Sequence, residues 1–259
     1  MPETTLDILF TAPHPDDIEI GSGGTVARLV KLGYRVGLAH LTNGEPTPRG
    51  TPETRMKEMR AAADVLGVQV LEMLDLPNRV LMDGPEARYA LATVLRRYRP
   101  RVMVAMAGRT PSASPDHYQS QLIAEASRFY SQFTKWNDRF ANTEPFRVDH
   151  LVYRPVRIAA EITHWHTQFV VDISETIDQK IEAIRCYRSQ FDDERFAGLE
   201  HYVRCGAGVE GGSVGVKYGE LFALPRPLGV TDMVSLLGDW KIPPPFNQEP
   251  PPSPELPRR

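Results

Sequence analysis

Residues 7–42 read DILFTAPHPDDIEIGSGGTVARLVKLGYRVGLAHLT, and this stretch decides the fold. Residues 7–12 are a short apolar run, which predicts a buried strand. An acidic turn and a glycine-rich segment follow, and the apolar spacing from Thr25 onward predicts a helix that ends at Gly33. Residues 34–42 form a second apolar run and predict a second strand. This order indicates a strand–helix–strand unit, which is typical of a parallel sheet.

The alternation of apolar runs and helical patterns continues beyond this unit. Further strands are predicted over 68–74 and 101–106, and helices over a segment ending at Gly67, over 86–98 and over most of 115–135. The second half is less regular, with strands predicted over 150–156 and 169–173 and a helix over 178–191. We therefore predict an α/β fold with a Rossmann-like, mostly parallel sheet, helices on both faces, an irregular C-terminal part and a Pro-rich tail.

Composition limits the setting of the protein. Proline is dense from Pro243 onward, so we predict a single domain over residues 1–240 and an extended tail over residues 241–259. The formal net charge is −3, which argues against a nucleic-acid partner. The longest apolar runs are too short to cross a membrane, and the first residues lack the features of a signal peptide. With only two cysteines, the sequence predicts a cytoplasmic protein.

Side chains that can bind a metal follow the first predicted strand. His14, Asp16 and Asp17 place one imidazole and two carboxylates within four residues, which is unfavourable unless a cation lies among them. Ligands of parallel sheets collect at the carboxyl ends of strands, and His117 follows the fourth strand at that same edge. A catalytic zinc ion takes three protein ligands and keeps one position open for water. We therefore predict that His14, Asp17 and His117 bind zinc and that Asp16 accepts a proton from the water.

Other interpretations of the same segment are weaker. An aspartate in this turn also suits the N-cap of the first helix, but capping does not explain a histidine at the end of another strand. The glycines within residues 21–24 resemble a dinucleotide-binding turn, but Val26 stands where a third glycine is needed and no acidic residue ends the second strand. The sequence contains neither a P-loop nor a Gly-x-Ser-x-Gly elbow. His40 is expected to lie in the core, and His164 and His166 on an exposed strand edge.

Longer motifs match a known family. They are residues 12–21 (APHPDDIEIG), the GGT of residues 23–25 and residues 49–55 (RGTPETR). On these motifs the chain resembles the LmbE-like or PIG-L family of zinc-dependent N-acetylglucosamine deacetylases, and is closest to the branch of the bacillithiol biosynthesis deacetylases. The resemblance implies a hydrolase that acts on carbon–nitrogen bonds, an N-acetyl sugar conjugate as substrate, and a homo-oligomer that is a trimer or a hexamer. It implies zinc as the cofactor, with Fe(II) as an alternative for the same ligands.

The resemblance also assigns roles to single residues. It implies the same three metal ligands as the strand-end argument, with Asp16 as the general base. Arg55 corresponds to an arginine that binds the hydroxyls of the sugar. Asn78 stands where the family often has an acidic residue, and an amide still exchanges hydrogen bonds with hydroxyls. Arg147 and Tyr202 resemble residues that line the pocket of the family.

The chain departs from the family in the distal motif. Residues 114–117 read SPDH where the family usually has His-Pro-Asp-His, so Ser114 replaces a histidine that stabilises the oxyanion or protonates the leaving amine. Losing one oxyanion donor lowers a rate by about 10²–10³. Asp116 is expected to orient a neighbouring group of the metal site. Three functions therefore stay open: an N-deacetylase in which Ser114 is part of the site, a zinc amidase for a non-sugar amide, and a metal-holding sugar-binding protein with weak or no activity.

Overall fold

The computed structural model describes residues 4–156 and 167–237. Its strands are β1 (Ile8–Ala12), β2 (Val36–Thr42), β3 (Val70–Leu76), β4 (Val102–Ala107), β5 (His150–Pro155), β6 (Thr167–Asp172) and β7 (Gly219–Leu224). Its α-helices are α1 (Asp17–Lys31), α2 (Pro52–Leu66), α3 (Pro85–Tyr98), α4 (Asp116–Tyr130), α5 (Ile177–Arg185), α6 (Asp193–Gly212) and α7 (Met233–Leu237), and a 3-10 helix covers Asn137–Phe140.

The described strands form one sheet in the order β3-β2-β1-β4-β5-β7-β6. Strands β1 to β5 pair in parallel, whereas β7 runs antiparallel to both β5 and β6. The chain moves from β1 outward to β3 and then returns to β4 on the other side of β1, so the order reverses between β1 and β4. Open α/β sheets bind ligands at the carboxyl ends of the strands at such a point. The predicted Rossmann-like, mostly parallel fold is confirmed.

Helices cover both faces of the sheet because successive residues of a strand point to opposite sides. Leu9 packs into a core with Leu91 and Ile123, on the face that carries α3 and α4. The next residue, Phe10, packs into a second core with Val26, on the face that carries α1, α2 and α5. Each inner strand therefore reads as a continuous apolar run, which is the pattern that predicted it from the sequence.

Helix α1 corrects one boundary of the sequence analysis. It begins at Asp17, earlier than the predicted start at Thr25, so the glycine-rich segment lies inside the helix. A Cβ atom at Gly24 would lie 2.6 Å from Cδ1 of Ile173, and the carboxylate of Glu220 accepts the Gly24 N–H at 3.1 Å. Close packing of the later part of the chain therefore requires the glycines, although they lower the helix propensity of α1.

The C-terminal part is more regular than the sequence predicts. Helix α6 has 20 residues and β7 enters the sheet between β5 and β6, and neither element was predicted. Gly211 lets the helix pack directly on β7, since a Cβ atom at Gly211 would lie 2.7 Å from the backbone nitrogen of Gly219. Tertiary packing overrides local propensity here, and a reading of local periodicity cannot detect it.

Some sequence predictions lie outside the described residues. These are the extended tail over residues 241–259 and the positions of His164 and His166, which stay predictions. Among residues 4–156 and 167–237, no helix has both the length and the apolar character needed to cross a membrane.

Candidate metal centre

The turn between β1 and α1 positions Asp16. Its φ angle is 93°, in the left-handed region that aspartate and asparagine adopt more readily than other non-glycine residues. Its side chain makes no capping hydrogen bond to α1. The carboxylate instead lies 3.5 Å from Nη1 of Arg55 and lines a cavity at the edge of the sheet. Helix capping therefore does not account for this side chain, and a strained backbone of this kind is common at functional sites.

His14, Asp17 and His117 meet at the carboxyl ends of β1 and β4. His14 Nδ1 lies 3.0 Å from Asp17 Oδ2, and His117 Nε2 lies 3.1 Å from Asp17 Oδ1. One candidate ligand atom from each residue lies within 4.8 Å of the others. The centroids of the two imidazole rings are 5.2 Å apart. The structure thus brings together the three residues that the sequence predicts as metal ligands.

A second contact orients each imidazole. His117 donates its Nδ1–H to the carbonyl oxygen of Ser114 at 3.0 Å, because that oxygen can only accept. His14 Nε2 lies 3.2 Å from Oδ2 of Asp116. These contacts leave Nδ1 of His14 and Nε2 of His117 facing the carboxylate of Asp17. Such outer contacts are the usual means of holding histidine ligands in place.

Charges within this group favour a bound cation. Burial disfavours a charged imidazole, yet Asp17 and Asp116 outweigh burial and raise the pKa of His14 to about 10. Burial would raise the pKa of Asp17, but His117 and His14 hold it below its ordinary value. Burial and the charge of Asp17 raise the pKa of Asp16 to about 7. Two imidazoles and a carboxylate are donors that zinc and Fe(II) both accept, so the residues present fit such an ion.

A polar cavity of about 500 Å³ opens beside the triad. It is lined by His14, Asp16, Gly44, Thr47, Arg55, Asn78, Arg79, Ser114 and Pro115. Nη2 of the buried Arg55 donates to the carbonyl oxygen of Pro15 at 2.9 Å and Nη1 forms the 3.5 Å ion pair with Asp16, whereas its Nε has no hydrogen-bond partner among the described residues. Oδ1 of Asn78 likewise has no hydrogen-bond partner among the described residues. Buried polar atoms of this kind are unfavourable unless a ligand satisfies them, so the cavity suits a polar ligand.

Comparison with known proteins decides the family. The family described as "PIG-L: GlcNAc-PI de-N-acetylase" matches residues 9–127, a range that contains the triad, Asp16, Arg55 and Asn78. A conserved protein of Thermus thermophilus is 37% identical, with a TM-score of 0.76, and the match covers 88% of this chain and 98% of that one. The chain belongs to the PIG-L/LmbE-like family.

Relatives that resemble this chain differ in their reactions. Diacetylchitobiose deacetylase of Thermococcus kodakarensis is 28% identical over 223 residues, which cover 82% of this chain and 80% of the relative. The 4-oxalmesaconate hydratase of Pseudomonas putida is 24% identical over 196 residues, which cover 70% of this chain and 73% of the relative. Membership of the PIG-L/LmbE-like family therefore leaves the reaction to be argued from the site itself.

Two residues that the family resemblance places at the pocket lie far apart in the structure. Tyr202, on α6, lines a second cavity that also touches Asp17 and His117. Arg147 is exposed and precedes β5, so it lies at the amino edge of the sheet, opposite the triad. This position corrects the prediction that Arg147 lines the pocket. Arg154 lies near the carboxyl end of the same strand and lines the second cavity. The sequence does not show which of the two arginines lies at the pocket edge, because it does not give the bounds of β5.

Some residues at the site were not predicted from the sequence. Thr47 and Arg79 line the polar cavity. Arg79 has a φ of 66°, and its N–H donates to Asp116 Oδ2 at 2.6 Å. Only the positions of these two residues in the sequence could have indicated them, because both follow strands whose carboxyl ends form this edge. His40 is fully buried as predicted, and it also supports the site by donating from Nδ1 to the carbonyl oxygen of His14 at 3.1 Å.

Asp116 joins these parts into one unit. It is only 1% exposed, and the same carboxylate oxygen accepts the Arg79 N–H and contacts the imidazole of His14. The loop after β3, the start of α4 and the candidate metal ligand His14 therefore depend on a single buried side chain. The expected orienting role of Asp116 agrees with this geometry.

We expect Asp116→Asn to weaken metal binding by about 10- to 100-fold, because the amide is uncharged and fixes His14 less firmly. The measurement is competition for zinc between the protein and a chelator of known affinity. Asp138→Asn is the matched control, since Asp138 is an exposed carboxylate paired only with Arg139. Unchanged zinc affinity in the Asp116 variant would show that this carboxylate does not orient the ligand.

Proposed function

We propose that the protein is a metal-dependent N-deacetylase that removes the acetyl group from an N-acetylglucosamine conjugate. The observation that carries this proposal is the half-buried group of His14, Asp17 and His117 beside a polar cavity with unsatisfied donors and acceptors. Family membership and the deacetylase among the relatives support it. In this proposal the three residues hold zinc or Fe(II), which when bound supplies Lewis acidity and lowers the pKa of water toward ~7.

The residues of the chain have separate tasks in this proposal. Asp16 accepts a proton as water attacks the amide carbon and then holds it for the departing amine. Arg55 keeps that carboxylate in position, since its guanidinium lies 3.5 Å away. Ser114 and Tyr202 supply hydroxyl donors for the acyl oxygen, one on each side of the triad. Arg55 and Asn78 exchange hydrogen bonds with the hydroxyls of the sugar, which would satisfy their unpartnered atoms.

Two finer features of the proposal follow from the family resemblance: the substrate is a small N-acetylglucosamine conjugate like the bacillithiol precursor, and the protein is a homo-oligomer, a trimer or a hexamer. The proposed cytoplasmic location follows from the composition, which has only two cysteines. The volume of the polar cavity, about 500 Å³, is within the usual range for a site that encloses a small ligand.

A substrate panel tests the proposed function. Zinc-loaded protein is incubated with N-acetylglucosamine conjugates, with non-sugar N-acetyl amides and with 4-oxalmesaconate, and acetate release and loss of the alkene are followed. We expect acetate from the sugar conjugates and no hydration of the alkene. Faster turnover of the non-sugar amides would favour the amidase, and hydration without acetate release would contradict the proposal.

Ser114 is the observation that favours a second candidate, a metal-holding sugar-binding protein with weak turnover. Its Oγ lines the polar cavity and accepts the Asp116 N–H at 3.3 Å, so its own hydroxyl hydrogen is left to donate. A hydroxyl at this position can stabilise an oxyanion, but it does not protonate an amine as an imidazolium does. The second candidate predicts tight sugar binding with no acetate release.

We expect Ser114→His to raise kcat for the N-acetyl sugar by about tenfold or more, because it adds an acid and a stronger donor beside the triad. The measurement is the rate of amine release at saturating substrate. Ser112→His is the control, since Ser112 is exposed in the same loop and does not line the polar cavity. A drop in rate at equal metal content would show that Ser114 already performs the task of the missing histidine.

A further inference from the structure

A second cavity, here called the apolar cavity, touches the triad from the side opposite the polar cavity. Its volume is about 250 Å³. It is lined by Asp17, Ile20, Gly21, Met106, Ala113, His117, Arg154, Pro155, Val156, Leu199, Tyr202 and Val203. The polar cavity reaches His14 and Asp16, whereas the apolar cavity reaches Asp17 and His117, so the triad stands between them.

Eight of the twelve described residues that line the apolar cavity are apolar or glycine. Of the four others, Asp17 and His117 belong to the triad, and Tyr202 adds a hydroxyl on a side chain that is 43% exposed. The last is Arg154, whose Nη1 lies 3.0 Å from Glu210 and donates to the carbonyl oxygen of Leu221 at 2.6 Å, whereas its Nε has no hydrogen-bond partner among the described residues. Most of the described wall is therefore apolar, and burial of an apolar chain is what it favours.

The size of the apolar cavity exceeds what an acetyl group needs. A water-sized group takes about 30 Å³, so the cavity holds roughly eight non-hydrogen atoms. The methyl group of an acetyl amide would occupy one such position when its carbonyl lies at the triad. Most of the apolar surface would then face water or empty space, which is unfavourable for a site that binds acetyl groups alone.

We propose that the apolar cavity binds the acyl chain of the substrate and that the enzyme prefers N-acyl chains of about four to six carbons over acetyl. This inference rests on the proposed function and extends its substrate class. The sugar lies in the polar cavity, the amide at the triad and the chain in the apolar cavity. Water adds to the acyl carbon and the carbon–nitrogen bond breaks, which releases a fatty acid and the free amine, and the amine takes the proton.

The experiment compares N-acetyl-, N-butanoyl- and N-hexanoylglucosamine with the zinc-loaded protein and measures kcat/KM by release of the amine. Each buried methylene is expected to raise kcat/KM by about fourfold, so hexanoyl should exceed acetyl by about 10². Calorimetry supplies a second measurement that needs no turnover: hexanoate should bind more tightly than acetate by a similar factor.

Variants assign the preference to this cavity. Leu199→Trp fills the cavity and should lower the hexanoyl-to-acetyl ratio by at least about tenfold, since it excludes two or more methylenes. Leu199→Ala enlarges the cavity and should shift the preferred chain to a longer one. Val209→Trp is the matched control, because Val209 lies on the same helix, is 76% exposed and does not line the cavity. The control should keep the ratio of the parent.

The possible results separate this inference from the proposed function. Acetate release with a flat or falling chain-length series would overturn the acyl preference and leave the deacetylase proposal standing. A rising series that Leu199→Trp does not change would also overturn the assignment to this cavity. If no amine is released and hexanoate binds no better than acetate, both the inference and the proposed function fail.

Discussion

Replacing Asp16 with asparagine is expected to lower kcat by about 10²–10⁴ while zinc stays bound, because the variant keeps the turn but loses the proton acceptor. Asp16 is not among the three residues whose ligand atoms converge, so metal content should not change. The measurement is a rate of amine release together with the zinc content of the same sample. Both values are needed, because a variant that loses zinc would lose activity for another reason.

The backbone at this position makes asparagine the proper substitution. Asp16 has a φ of 93°, which asparagine tolerates better than alanine does, so Asp16→Asn changes the charge with little added strain. Asp75→Asn is the matched control: Asp75 also has a positive φ, is exposed and lies outside both cavities. Activity near the parent level in Asp16→Asn would refute the role of Asp16 as the base.

Replacing His117 with alanine should abolish both zinc binding at equimolar metal and amine release. The variant removes one of the three proposed ligands and leaves Oδ1 of Asp17 without its 3.1 Å contact. Loss of an outer contact alone costs about 10–100-fold in metal affinity, and loss of a ligand should cost more. Zinc content after dialysis and the rate of amine release are the two measurements.

His150→Ala is the control for this variant, since His150 is an exposed histidine at the amino end of β5. Both zinc content and turnover should match the parent there. If the His117 variant retained a full equivalent of zinc with parental affinity, the third ligand would have to be a different residue.

The meeting of His14, Asp17 and His117 was predictable from the sequence because it depends only on where the strands end. Residues 7–12 and 101–106 are continuous apolar runs, and parallel strands place their carboxyl ends at one edge. His14, Asp17 and His117 then follow without knowledge of side-chain positions. Asp116 was expected to orient a neighbour, but its contact with the Arg79 N–H depends on a strained loop that no periodicity reveals.

The incorrect predictions of helices and strands have a common physical origin in long-range packing. The start of α1 was placed too late because its glycines are required by Ile173, which comes from a distant part of the chain. Helix α6 and strand β7 were missed because the glycines at their contact resemble a loop pattern. Arg147 was placed at the pocket because the family resemblance does not show where β5 begins. For α1, α6 and β7 the deciding contact joins residues far apart in sequence, whereas for Arg147 the missing information is a strand boundary.

The most direct test of the account is a zinc titration of the chelator-stripped protein, followed by the rate of amine release from an N-acetylglucosamine conjugate. If one ion binds per chain at His14, Asp17 and His117, the rate of amine release should be negligible without metal. It should then rise linearly with added zinc and level off sharply at one equivalent. A full rate in protein that retains no zinc or iron, or no amine release at any zinc level, would contradict the account.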